Sequence, residues 1–238
     1  MTIQYNVYFD GFNLYKGTLE RRPHCKWLDL ISLSQSFNPT GKLLKVYYFT
    51  AGVKGRFPND RASDRQSNYL RALEHSGVEV VRGKFHKSEK WKRLVDQKRD
   101  QTIQPPLKSL FGLTQNLINE SWSRSKPDVP KAQVYEFEEK GSDVNLASYL
   151  LRDSFTKSID AAYVVTGDSD LVSPINFATQ KGVATHVVVP GTGQNVDSLR
   201  AVANSLMPLD VRALPSHQFP EVFLTPSGRQ IRRPNSWH

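Results

Sequence analysis

Short unbroken apolar runs recur along the chain, and longer stretches with spaced apolar positions lie between them. Ile3–Phe9 (IQYNVYF), Leu43–Phe49 (LLKVYYF), Val78–Val81 (VEVV), Gln133–Phe137 (QVYEF), Ala161–Thr166 (AAYVVT) and Ala184–Pro190 (ATHVVVP) are rich in β-branched and aromatic residues. Each is too short for a helix and reads as a strand. The intervening segments read as helices. Asn59–Ser76 carries its stripe on Tyr69, Leu70 and Leu73, with Gly77 as its stop. A second helix begins near Asp143 with Ser142 as N-cap, a third covers Asp170–Gly182, and a fourth covers Gln194–Leu206. Strand and helix alternating over short connections predict a mainly parallel sheet with helices on both faces. The continuous apolar strands agree, because such sheets are covered on both sides.

The pattern is interrupted once. From about Lys84 to Lys131 the chain is polar, basic and aperiodic, apart from Leu107, Leu110, Phe111, Leu117, Ile118 and Trp122, whose spacing suits one amphipathic helix. This segment reads as an insertion into a domain spanning residues 1–213. Residues 214–238 hold several prolines and read as an extended tail, either packed through Phe219, Phe223 and Trp237 or partly disordered.

Charge and composition narrow the chemistry. Among 238 residues, 32 Lys and Arg face 23 Asp and Glu, a net charge of +9, which favours a polyanionic partner such as nucleic acid. The single cysteine, Cys25, excludes an internal disulfide and a thiolate zinc site. The N-terminus enters a strand directly, without the apolar core of a signal peptide. No stretch has the length of a membrane span, so a cytoplasmic protein is expected. The six histidines show no zinc-like spacing, and His186 inside a strand reads as structural. No phosphate loop, dinucleotide fingerprint or Ser/His/Asp arrangement is present, which argues against nucleotide hydrolysis and nicotinamide chemistry.

The acids are the informative feature. Asp10 ends the first strand, Asp168 and Asp170 follow AYVVTG, and Asp143 opens a helix after another strand. In an open α/β sheet, function sits at the carboxyl ends of the strands, so all four can meet on one rim. Each also fits plain helix capping, and Ser142 competes with Asp143 for that role. A cluster of bare carboxylates repels itself; a hard divalent cation such as Mg²⁺ or Mn²⁺ resolves the repulsion and suits phosphodiester hydrolysis.

Three segments resemble the NYN domains of the PIN-like nuclease superfamily. They are YFDGFNLY with Asp10 and Asn13, EEKGSDVNLASYLLRDS with Asp143, and VVTGDSDLVSPINFATQKG with Asp168 and Asp170. The resemblance implies a three-layer α/β/α fold around about five parallel strands. It also implies Mg²⁺- or Mn²⁺-dependent ribonuclease activity. Asp10, Asp143, Asp168 and Asp170 would surround the metal, and Asn13 would be a nearby polar support.

Lys84, Lys87, Lys90, Trp91, Lys92 and Arg93 in the insertion, together with Lys140, are candidates for holding nucleic acid, the charges on phosphates and the ring under a base. A solvated loop is the plainer alternative. GTGQN (Gly191–Asn195) is a weaker candidate for a phosphate. The expected function is a metal-dependent endoribonuclease acting on single-stranded or flexible RNA. A binding module without turnover and a metal-dependent phosphatase are the alternatives.

Overall fold

The computed structural model describes residues 2–52, 60–93, 131–192 and 195–237. They fall into two compact units, Met1–Phe85 with Glu139–His238, and His86–Glu138.

The first unit is built on a parallel sheet. In chain order its elements are β1 (Gln4–Asp10), α1 (Gly11–Leu14, continuing as a π-helical turn over Tyr15–Leu19), α2 (Leu30–Phe37), β2 (Lys42–Ala51), α3 (Ala62–Ser76) and the start of β3 (Glu79–Arg93). After the end of β4 (Lys131–Lys140) come α4 (Ser142–Phe155), β5 (Ala161–Val165), α5 (Val172–Gln180), β6 (Ala184–Val189), α6 (Asp197–Val202) and β7 (Ser205–Pro208). The strands run β3-β2-β1-β5-β6-β7 across the sheet, all pairs parallel. The sheet therefore has six parallel strands where about five were expected.

The two-residue period of a strand sends alternate side chains to opposite faces, and the core divides accordingly. Tyr5, Val7 and Phe9 of β1 pack on one side with Leu30, Leu33, Tyr69, Leu70 and Leu73 of α2 and α3. Tyr8 packs on the other with Leu146 and Leu150 of α4, Ile175 of α5 and Leu199 of α6. Both faces are covered, which gives the three-layer α/β arrangement expected from the apolar strands.

Two elements differ from the sequence reading. The last helix stops at Val202, and Ser205–Pro208 pairs with β6 instead of continuing it. Asn204 causes the switch: its backbone N–H donates to Thr185 O, and its side-chain oxygen accepts the Thr185 N–H, each at 2.8 Å. β3 runs on past Val81 to Arg93. In the second unit it has β4 as its sheet neighbour, so backbone pairing carries it where the apolar run has ended. The helix expected over residues 107–122 lies outside the described residues.

The tail folds back onto the first face. Trp27 is fully buried, meets Tyr69, Phe219 and Trp237, and donates from Nε1 to Pro220 O at 2.9 Å. Val222–Leu224 (β8) and Gln230–Arg232 (β9) form a small antiparallel ladder.

Glycines set the closest approach on the rim. Gly191 has φ +121°, and its backbone packs on Gly17 in the turn that follows α1; a Cβ on Gly17 would lie 1.6 Å from Pro190 O. Backbone cannot yield there as a flexible side chain would. Gly17→Ala is therefore expected to cost about 3 kcal/mol, the upper part of the overpacking range. Gly52→Ala, which meets nothing within 4 Å among the described residues, should leave stability nearly unchanged. Urea denaturation of the two variants measures the contrast.

Candidate active site

Strand order reverses at β1: the chain proceeds outward through β2 and β3 on one side, and through β5, β6 and β7 on the other. The crevice beyond the carboxyl ends of β1 and β5 is where such sheets place their ligands. Asp10 is the last residue of β1, and Thr166-Gly167-Asp168 follows β5 directly. Asp143 lies in the first turn of α4. Each of these three aspartates brings a carboxylate oxygen within 4.8 Å of the others.

Asp10 is the buried member, 2% exposed, and both of its carboxylate oxygens accept hydrogen bonds. Oδ1 accepts the Asn13 N–H at 2.9 Å, the N-cap of α1; Oδ2 accepts Asn13 Nδ2 at 2.7 Å and the Thr166 hydroxyl at 3.0 Å. Capping and site-building are thus combined in one residue. Burial raises the Asp10 carboxyl above its ordinary value, the donors on Asn13 and Thr166 pull it down, and the charge of Asp168 adds to the rise.

Thr166 was not singled out from the sequence, yet it couples the two strands. Its hydroxyl gives its one proton to Asp10, and its oxygen accepts the Asp168 N–H at 3.1 Å. Its position between the apolar run and Gly167 was the available signal. Asp168 in turn caps the turn that follows, accepting the Asp170 N–H at 2.9 Å. The capping role considered for Asp170 therefore belongs to Asp168. Asp170 is exposed and stands outside the close trio, although its charge is felt at Asp143.

Asp143 occupies the open side. The N-cap of α4 is Gly141, at φ 92°, rather than Ser142, which is the first helical residue. Loss of solvent around the Asp143 carboxyl, followed by the charges of Asp10, Asp168 and Asp170, pushes its pKa up to about 6. The helix is anchored farther along by Asp153, a buried acid with no signal in the sequence pattern. Its carboxylate accepts Asn6 Nδ2 at 2.9 Å, Tyr8 OH at 2.7 Å and Arg152 Nε at 2.9 Å, clamping α4 to β1. This clamp fixes where Asp143 stands relative to Asp10.

Lys84, Lys90 and Trp91 are exposed, Trp91 by 66%. The side chains of Lys87, Lys92, Arg93 and Lys140 lie outside the described residues, as do Gly193 and Gln194 of the GTGQN loop. Gly191 in that loop serves the contact with Gly17. His186 stacks on Tyr163 and pairs with Ser205, consistent with a structural role.

Hard oxygen donors converging from three elements are suited to a divalent cation, and without one they repel. The raised Asp143 pKa gives this a measurable sign. The folded state holds the Asp143 proton to a higher pH than the unfolded chain, so its contribution to stability declines as pH rises from about 4 through about 6. In EDTA, Asp143→Asn should melt at a higher temperature than the wild type at pH 7.5, with the gap closing near pH 4. Divalent metal should shrink the gap at pH 7.5 by stabilising only the wild type. Thermal melts at the two pH values check this.

Residues 114–210 match the model of the NYN domain, a range that includes Asp143, Thr166, Asp168 and Asp170. The chain is 26% identical to the 6-hydroxy-3-succinoylpyridine 3-monooxygenase HspA of Pseudomonas putida, over 98% of this chain and 74% of that protein. A crystal structure of a protein of unknown function from Vibrio parahaemolyticus aligns with a TM-score of 0.47 at 12% identity, covering 88% of this chain and 94% of that one. Among the described residues no helix is long and apolar enough to cross a membrane. The NYN-domain match is consistent with a protein of the NYN and PIN-like nuclease superfamily.

Proposed function

We propose that the chain is a metal-dependent endoribonuclease that hydrolyses phosphodiester bonds in single-stranded or flexible RNA. The observation that carries the reading is the convergence of Asp10, Asp143 and Asp168 within 4.8 Å at the switch point of a parallel sheet. These three side chains would hold Mg²⁺ or Mn²⁺, with Asp170 at the margin. A divalent cation bound there supplies an activated water and a positive charge for the leaving oxygen.

The protein's own contribution is preorganisation. Asn13 and Thr166 hold the Asp10 carboxylate in one orientation, so a scissile phosphate entering the crevice meets fixed oxygens. Asp143, on the open side, would supply the third oxygen donor to the cation. A flexible strand fits better than a duplex because its backbone can bend into a recessed acidic site. Lys84, Lys87, Lys90, Trp91, Lys92, Arg93 and Lys140 are proposed to hold other parts of the strand.

A second reading follows from the alignment with the Pseudomonas putida monooxygenase, which spans nearly the whole chain. It is oxygenation of a hydroxylated pyridine, with O₂ as oxidant and a two-electron donor as co-reactant. Oxygen uptake with 6-hydroxy-3-succinoylpyridine and such a donor, while RNA stays intact, would replace the nuclease reading.

The direct test is incubation of labelled RNA with Mg²⁺, Mn²⁺ or EDTA. Cleavage is expected with metal and none with EDTA, and Asp168→Asn should lose activity about a hundredfold or more. Intact RNA in the presence of folded, metal-loaded protein would overturn the reading. Thr166→Val, which keeps the shape and removes the hydroxyl, should weaken Mn²⁺ binding about tenfold to a hundredfold by calorimetry.

A further inference from the structure

The helical turn that leaves Asp10 exposes two aromatic rings. Gly11 and Leu14 turn into the protein, and Leu14 is fully buried. Phe12 is 54% exposed and Tyr15 is 39% exposed. They stand three residues apart in a helical stretch, so their side chains are neighbours on one face. Asn13 lies between them in sequence and donates to Asp10 from both its backbone and its side chain. The aromatic face is therefore carried by the same turn that builds the acidic cluster.

The surroundings are basic. Lys26 Nζ stands 5.1 Å from the centre of the Tyr15 ring, and Lys16 Nζ stands 6.0 Å from it. Arg21 is exposed in the same segment. Lys16 also pairs with Glu20 at 2.6 Å, and Arg22 is turned inward to donate to Thr18 O. Half-buried Lys26 and exposed Arg21 are the remaining cations of this segment, with Glu20 offsetting part of their charge. Among the described residues neither ring belongs to the buried core, which is reached by Leu14 and Leu19.

We infer that Phe12 and Tyr15 form a stacking platform for the bases of a single-stranded RNA beside the acidic cluster, with Lys26 and Arg21 holding the adjoining phosphates. Aromatic faces accept any base, and flanking cations follow the backbone, the combination by which single strands are held without sequence preference. This placement rests on the ribonuclease reading for its substrate, but binding to the platform requires neither metal nor turnover.

The test is fluorescence anisotropy of labelled decauridylate in EDTA, so that no metal-dependent cleavage depletes the probe. Phe12→Ala and Tyr15→Ala should each raise Kd about fivefold or more, and the double variant more still. Phe12→Tyr and Tyr15→Phe should bind as the wild type does, which separates stacking from misfolding. An abasic strand of the same length should bind wild type and double variant alike. Lys26→Gln should flatten the salt dependence of Kd. Equal decauridylate binding by wild type and double variant overturns the inference, as does a loss that persists on the abasic strand. RNA that is bound through these rings but never cut would sink the nuclease reading and leave the platform standing. RNA cut with unchanged kcat/KM by the double variant would do the reverse.

Discussion

Carboxylates held together against their own repulsion are the constraint on which the rest of this site depends. Asp10, Asp143 and Asp168 come from three separate elements and meet within 4.8 Å. The protein meets part of the cost with hydrogen-bond donors. Asp10 accepts two donations from Asn13 and one from Thr166, and Asp168 accepts the N–H of Asp170. Asp143 receives the least help and carries the raised pKa of about 6. The remaining repulsion is a free energy that a cation can recover, so the apparent strain and the proposed function share one origin.

Holding such a cluster requires a rigid frame, and the sheet provides it. β1 lies at the centre with β2 and β5 beside it, and both helical layers pack against its alternating side chains. The Asp153 clamp ties α4 to Asn6 and Tyr8 of the same strand, so Asp143 is located by a buried network as well as by helix packing. On the other side of Asp10, the turn after α1 is fixed by the backbone contact between Gly17 and Gly191. α1 and that turn display Phe12 and Tyr15. The proposed metal chemistry and substrate contact would thus be organised from one strand end.

The fold class and five of the parallel strands were legible because strands buried on both faces leave continuous apolar runs. Ser205–Pro208 was not legible, since SLMP follows directly on a helical pattern and becomes a strand through Asn204 and pairing with β6. The extension of β3 to Arg93 left no apolar trace for a similar reason. At the site, Asp10, Asp143, Asp168 and Asp170 stood out by their positions after strands and turns, and Asn13 through the family resemblance. Thr166 and Asp153 did not, because their roles are hydrogen bonds to residues more than a hundred positions away.

By itself the sequence determined the period of each segment, and therefore the layered sheet and the edge on which acids would gather. Periodicity is local, and it survives in any reading of neighbouring residues. The tertiary structure decided which acids are close, which one is buried and which one stands aside. Asp168 and Asp170 look equivalent two residues apart, yet the turn after Gly167 brings Asp168 to Asp10 through Thr166 and leaves Asp170 in solvent. That difference comes from backbone direction and hydrogen bonds across strands, which no local pattern of residue types encodes.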